Sequence, residues 1–416
     1  MPSETPRGPD TAVPASGSER IHAIDMLRGF AVLGILIVNI WLFSWGPEAY
    51  TEPPGGPDGA AGAGDLWIWG FIHLFAEMKF ISIFSVLFGA GIAMMSERMA
   101  ARGIPGRKLH NRRQFWLLVI GLLHAYLIWE GDILVAYSLC GLLLYRLHTR
   151  SPRRLLWIGA SFVAVVVVLI GVTAWTLPYW PEELRAEAAL EWDPPPEEVE
   201  ARIEAMRGGW TEQMPVRASD ALAFGIGGFL AFGLWRAGGL MLVGMALYRL
   251  GVLTGKRPAG FYRRLVAWGF GAGLPVVAAG MWYNAAVGFT WEQAGLQGTL
   301  FNYVGSIGVF LGYVGALMLL ARSGRLERTQ TRLAAVGRMA LTNYIAQSIL
   351  CSLIFYGHGL GLYARVGTVG CVAIVVGIWA LQLAWSPWWL ARFRFGPLEW
   401  LWRTLSYGQR QPMRIA

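Results

Sequence analysis

The chain has 416 residues, 55% of them hydrophobic and 15% charged, with 21 tryptophans and a formal net charge of +9. A soluble domain carries about 25% charged residues, so this composition excludes one and predicts an all-α, polytopic transmembrane helical bundle. The basic excess falls in short clusters between apolar runs, a pattern that speaks for membrane lipids as partners and against nucleic acid.

Residues 1–19, rich in Pro, Ser, Gly and Thr, read as a disordered cytoplasmic tail. The apolar run after them is a full span of about twenty residues with no small-x-small cleavage site, so it reads as a signal anchor rather than a cleaved signal peptide. Apolar runs long enough to cross about 30 Å of hydrocarbon fall near 27–46, 67–95, 115–130, 132–146, 155–177, 221–249, 262–285, 299–321, 339–357 and 366–390, ten in all. Arginine and lysine cluster after the second, fourth, sixth and eighth runs, whereas 47–66 and 286–298 contain neither. Both termini are therefore expected in the cytoplasm. The second and sixth runs are long enough to tilt or to split, and the glycines at 225, 227, 228, 233, 238 and 239 favour a break in the sixth.

The chain thus divides into a helical half at 20–177, an extracytoplasmic loop at 178–219, a second helical half at 220–395 and a cytoplasmic amphipathic tail at 396–416. In the loop, "EWDPPPEEVEARIEAMRGG" reads as a short amphipathic helix with Val199, Ile203 and Met206 on one face. It is expected to be a surface loop, with a cap over an outward-facing site as the alternative. No internal repeat is visible.

Ionisable and polar residues inside apolar runs are the sharpest functional signal, because each costs roughly 2.5–3.5 kcal/mol at a helix centre. In "RIHAIDMLRGFAVLGILIVNIW", Asp25 and Arg28 stand at the cytoplasmic entrance, one turn apart and within ion-pair reach, and Asn39 lies twelve residues past Leu27. In the second run His73 and Glu77 share a face beside Lys79; either the Glu orients the ring or all three are wet at the outer interface. In "IGLLHAYLIWEGDILVAYSLCGLLLY", His124 precedes Glu130 and Asp132 in a tight turn. This is an acid–base arrangement, or else a buried hydrogen-bonded His with Asp132 capping the next helix. Equal depths suggest that Asn39 and His124 share one cavity, with His73 as a further candidate for its lining.

Thr342, Asn343 and Gln347 are placed to bridge helices, and Asn343 and Gln347 are also candidate binding residues. Glu399 and Arg403, on a short helix begun by Pro397 among tryptophans, suit a membrane-surface anchor or a site for a phosphorylated headgroup. The three cysteines lie inside apolar runs without metal-site or redox spacing, so no metal is expected.

"DMLRGFAVLGILIVN", "KFISIFSVLFGAGIAM", "GLLHAYLIWEGDIL", "TNYIAQS" with "FYGHGLGLY", and "GPLEWLWRTLSYG" strongly resemble the bacterial YeiB family, also called domain of unknown function 418, over essentially residues 20–410. The N-terminal half in turn looks like a superfamily of transmembrane acyltransferases that includes heparan-alpha-glucosaminide N-acetyltransferase and the acyltransferase-3 enzymes. The acyltransferase-3 frame of Arg, ten residues, then a catalytic His reads here as Arg28 and Asn39, an amide that cannot serve as a base. The heparan-type frame matches Asp25, Arg28, Gly29, Val38 and Asn39 and would place its catalytic His at His73, although the Trp-Asn-Gly that follows there is absent here.

The resemblance implies an inner-membrane protein, as a homodimer, that passes an acyl group from cytoplasmic acyl-CoA to an extracytoplasmic sugar or lipid-linked acceptor. His124, His73 and Asp132 would be the catalytic candidates. Asp25, Arg28, Asn39, Lys79, Glu130, Asn343 and Gln347 would bind donor or acceptor. The rival reading is a non-enzymatic transporter or exporter of a small or lipid-linked solute, or a scaffold, using the same polar residues as its path.

Overall fold

A computed structural model describes residues 21–47 and 62–415. They form sixteen α-helices and no strand. In chain order these are α1 His22–Ser44, α2 Ala63–Phe75, α3 Lys79–Ala101, α4 Gly106–Leu127, α5 Leu134–Leu144, α6 Pro152–Thr176, α7 Glu182–Trp192 and α8 Pro196–Arg207. There follow α9 Trp210–Leu222, α10 Leu234–Arg249, α11 Ala259–Ala286, α12 Thr299–Arg322, α13 Glu327–Arg338, α14 Ala340–Phe355, α15 Thr368–Leu390 and α16 Pro397–Tyr407. Helices dominate because hydrocarbon offers no partner to backbone N–H and C=O groups, and a helix pairs them internally.

By length and composition, seven stretches of the described residues can cross a bilayer: His22–Ser44, Ala63–Ala101, Pro152–Tyr179, Trp210–Arg249, Ala259–Ala286, Trp291–Arg322 and Thr368–Leu390. The expected runs at 132–146 and 339–357 fall on the shorter apolar helices Leu134–Leu147 and Ala340–Phe355. The expected run at 115–130 falls on α4, whose first two turns carry Arg107, Lys108, Arg112 and Arg113. The expected tail at 1–19 lies outside the described residues.

The break that glycine content pointed to in the sixth run is found in the second. The chain leaves helical geometry at Ala76–Met78, where Met78 has φ 63°, and α3 restarts at Lys79. In the sixth run α9 continues without interruption into α10 through a π-helical stretch, Ala223–Gly233. The segment 178–219 is three helices rather than one. The amphipathic stretch expected there is α8, whose Met206 is buried in the main core.

Arginines gather the basic ends on one face. Arg249 meets Glu97 at 2.9 Å and the Arg150 carbonyl at 2.7 Å, joining the ends of α3 and α10 to the start of α6. Arg322 donates to the Gly255 and Arg257 carbonyls, joining the end of α12 to the start of α11. Exposed tryptophans bracket the apolar slab. On α6, Trp157 and Trp175 are eighteen residues apart, roughly 27 Å at 1.5 Å per residue.

α1 is the central helix, buried along most of its length and packed on α13, α3, α14 and α15. Its closest crossing is with α13, where a Cβ on Gly29 would run into the Leu333 carbonyl oxygen and one on Gly337 into the Asp25 carbonyl oxygen. This crossing fixes the backbone that carries Asp25 and Arg28. Gly337→Val should therefore force α1 and α13 apart, at a cost of about 1–3 kcal/mol. A thermal melt of the purified protein should show a lower Tm than for Gly377→Val, a position where an added Cβ meets nothing. Equal melts would refute the crossing.

Candidate functional site

α4 organises the site. Its buried residues His110, Gln114, Leu117, Gly121 and His124 recur at helical spacing and make one face about 21 Å long. The N-terminal half of that face walls a cavity of about 300 Å³. Arg28, Arg98, Arg102, Arg113, Arg338 and Arg403 line the cavity with Asp25 and Glu399, and its apolar part includes Phe88, Leu117, Leu134 and Tyr344.

α16 closes the cavity below. Glu399 accepts from the Leu341 and Thr342 amides at 2.7 and 3.1 Å and from the Thr342 hydroxyl at 2.5 Å, so it caps α14. Burial pushes its carboxyl above the ordinary range, and those donors oppose the shift. Trp402 donates its indole N–H to the Arg113 carbonyl, and the Arg113 guanidinium lies 4.1 Å over the Trp402 ring. The segment expected to lie on the membrane surface thus forms a wall of the cavity.

The C-terminal end of the α4 face is His124, in the last turn of the helix. Gly121 lets the turn at 128–133 come close, since a Cβ there would lie 2.8 Å from the Val135 nitrogen and 3.1 Å from Asp132 Oδ1. Asp132 then serves two purposes. Its Oδ2 lies 2.7 Å from His124 Nδ1, and its Oδ1 accepts the Val135 N–H at 2.8 Å at the start of α5. The capping and orienting roles expected as alternatives are both filled by this one side chain. With the carboxylate bound at Nδ1–H, the lone pair sits on Nε2. Nε2 is buried and has no hydrogen-bond partner among the described residues. Tyr344 joins the two ends of the face: it lines the cavity, and its ring lies 5.2 Å from that of His124.

The family model described as "Protein of unknown function (DUF418)" matches residues 247–409. Over 404 residues the chain is 33% identical to "Uncharacterized protein YeiB" of Escherichia coli (strain K12), covering 93% of this chain and 96% of that one. The chain belongs to the YeiB family. It is also 30% identical over 410 residues to "Uncharacterized protein YxaH" of Bacillus subtilis (strain 168), covering 96% of this chain and 97% of that protein. No solved structure matches it.

The other expected site residues of this YeiB-family chain separate into distinct groups. Asp25 and Arg28 pair at 2.9 Å and line the cavity. Asn39, His73 and His124 are not among the residues that line this cavity. Asn39 is half-buried in the C-terminal half of α1. His73 Nδ1 lies 2.6 Å from Glu77 Oε2. The Lys79 ammonium, fully buried, donates to the His73 carbonyl at 2.5 Å and to Asn302 Oδ1 at 2.6 Å. These residues belong to the break between α2 and α3.

Asn343 and Gln347 are likewise committed elsewhere. Asn343 donates to the Val336 carbonyl and to Ser386, and Gln347 to the Val32 carbonyl and to Gln382, tying α14 to α13, α15 and α1. Glu130 turns away from His124, accepting the Tyr356 hydroxyl at 3.0 Å and facing Arg217 at 3.5 Å.

Reading the sequence missed Arg217 and Arg236, both buried. Arg236 gave a signal, a cation inside the run 221–249. It donates to the Tyr303 carbonyl, Ser82 and Ser306. Arg217 gave none, since it was read as part of a solvated loop. Its burial against Glu130 shows that α9 covers the 128–133 turn. Arg217→Met should leave the Glu130 charge buried without its partner and cost about 3–5 kcal/mol. The double variant Glu130→Leu/Arg217→Met should recover part of that loss in a thermal melt. A single variant as stable as wild type would show that the pair does not dock α9.

Proposed function

We propose that the chain is a transmembrane acyltransferase, in which an acyl-CoA donor enters the arginine-lined cavity from the cytoplasm and His124 is the base that activates an extracytoplasmic or lipid-linked acceptor. The observation that carries this reading is the buried His124–Asp132 pair with a lone pair on an unpartnered Nε2, set on the same helical face as the cavity. Six arginines suit the phosphates of the donor. The seven residues from Leu117 to His124 span roughly 10 Å of helix, a distance for the acyl-bearing arm to cover past Tyr344.

In the reaction, Nε2 takes the proton of an acceptor hydroxyl or amine while the acceptor atom attacks the thioester carbonyl. The carbon–sulfur bond breaks, and the departing thiolate receives the proton back from the imidazolium. Asp132 stabilises that imidazolium and holds the ring in the required tautomer. Asp25 and Arg28 would order the cavity mouth. His73 has a carboxylate partner too, but it sits at the α2–α3 break and not on the α4 face. In this reading α4, α5 and α14 also cross the bilayer, giving ten spans with both termini inside a bacterial cytoplasmic membrane.

One observation favours a transporter instead. The helix break at 76–78, with buried Lys79 beside the half-buried Glu77 and His73, is the kind of discontinuity that lines solute paths.

Two measurements test these proposals. Purified protein given radiolabelled acetyl-CoA and a panel of hydroxyl and amine acceptors should transfer or hydrolyse the label. His124→Ala should lower that rate by about 10²–10⁴-fold in protein that still folds and inserts, with a lower Tm because the buried Asp132 carboxylate loses its partner, and Asp132→Asn should lower the rate in the same direction. Wild-type and His124→Ala proteins turning over alike would end the reading. For topology, Leu190→Cys should react with an impermeant maleimide from outside and Pro105→Cys only after permeabilisation, the native cysteines being buried. The reverse pattern would invert the orientation.

A further inference from the structure

α3 turns a face to the cavity that the reading above leaves unused. Between Ser82 and Ser96 the helix is buried except at Phe84, Phe88, Gly91, Met94 and Met95, and all of these line the cavity. Phe84, Phe88, Gly91, Met95 and Arg98 follow one another at steps of four and three residues, so they form a single stripe along α3. Gly91 stands at its middle. A Cβ added there meets nothing, so the stripe borders open space and not packed atoms. Leu117, Leu134 and Tyr344, against which Phe88 packs, carry the apolar lining beyond α3.

The stripe has a length and a polarity. From Phe84 to Met95 it runs roughly 16 Å at 1.5 Å per residue, about one leaflet of a hydrocarbon core some 30 Å thick. It ends at Arg98, one of the arginines that line the cavity. Cations at one end of a bare apolar wall as long as a lipid chain fit a ligand with an anionic head and a hydrocarbon chain. An amide-bearing arm laid on the stripe would leave its N–H and C=O groups unpaired, and an acetyl group would leave most of the stripe uncovered. Counted from the connection at 102–105, Phe84 and His124 stand roughly 26 and 27 Å along their helices. An acyl carbonyl held at His124 therefore starts its chain level with Phe84, with the stripe to lie along.

We propose that the stripe is an acyl-chain site, that the group carried by the donor is a fatty acyl chain of membrane-lipid length instead of acetyl, and that Gly91 is the specificity determinant that keeps the site open. This inference rests on the reading of the cavity as the donor site and adds to it the size of the transferred group.

The test measures binding and transfer by the full-length protein in nanodiscs, with acetyl-CoA and dodecanoyl-CoA at equal free concentration. Each methylene buried from water is worth about fourfold in affinity, so wild type should favour dodecanoyl-CoA about tenfold or more. Gly91→Phe fills the open space and should cut that preference about tenfold or more. Gly91→Ala should keep most of it, and Gly377→Phe, on α15 where an added Cβ likewise meets nothing, should keep all of it. A wild-type protein without chain-length preference would overturn the inference. So would an equal loss of both ligands in Gly91→Phe, which marks a packing role. A co-purified phospholipid that Gly91→Phe excludes and dodecanoyl-CoA does not displace would also overturn it, giving the stripe to a membrane lipid. A Gly91-dependent preference in binding without transfer from either thioester would sink the acyltransferase reading alone, while equal transfer of both groups, indifferent to Gly91, would sink this inference alone.

Discussion

The absence of hydrogen-bond partners in hydrocarbon is the constraint from which the rest of this structure follows. Where the chain stays helical the backbone pairs with itself, and where it does not a side chain has to intervene. The break at Ala76–Met78 shows how. Leaving the helix there frees the His73 carbonyl, which receives the Lys79 ammonium; the Met78 carbonyl, which opens α3, accepts both the amide and the hydroxyl of Ser82. The ammonium is itself buried, and Asn302 of α12 supplies its second acceptor. Ser82 also receives the Arg236 guanidinium from α10. One irregularity in α2–α3 therefore fixes how α10 and α12 approach it, which accounts for polar residues that, in the sequence alone, suggest a solute path.

Small residues set the other close approaches. Between lipid-facing helices there is no hydrophobic gain from association, so contact depends on backbones coming near enough for dispersion forces. α11 and α12 do this through Gly269, Gly273, Gly305 and Gly308, where a Cβ would meet the opposite backbone at 3.0 Å or less or, at Gly305, the Val277 side chain at 2.7 Å. α1 and α13 do it through Gly29 and Gly337. The second crossing matters more for the site, because α13 brings Arg338 to the cavity that Asp25 and Arg28 already line.

The sequence discloses local features well. The Asp25–Arg28 pair, the α16 start at Pro397, the amphipathic α8 and the His124–Asp132 turn are all visible from spacing, since each depends on residues within two turns of one another. Convergence is not visible. Arg98, Arg102, Arg113 and Arg338 belong to clusters that the positive-inside rule explains completely, so nothing in their spacing marks them as lining one cavity rather than facing lipid headgroups. Arg217 is a harder case, because it lies in a polar stretch where a cation is unremarkable until α9 is found packed over Glu130. That Asn39, His73 and His124 lie outside the lining of this cavity has a related reason. Depth along a helix can be counted from sequence, but the direction in which a side chain faces depends on which helices pack together, and α1 is packed on α13, α3, α14 and α15.

The C-terminal helix ties these levels together. A carboxylate from α16 caps α14, the helix that carries Tyr344, and the same α16 presents Trp402, Arg403 and Tyr407 to the cavity. The wall beneath the cavity and the ring that separates the cavity from His124 are therefore joined through Glu399. A displacement of α16 large enough to open the cavity would remove acceptors from the Leu341 and Thr342 amides at the start of α14. Because those amides have no partner within their own helix, opening carries the cost of leaving them unpaired or hydrating them. α16 is thus held against the cavity by a helix cap.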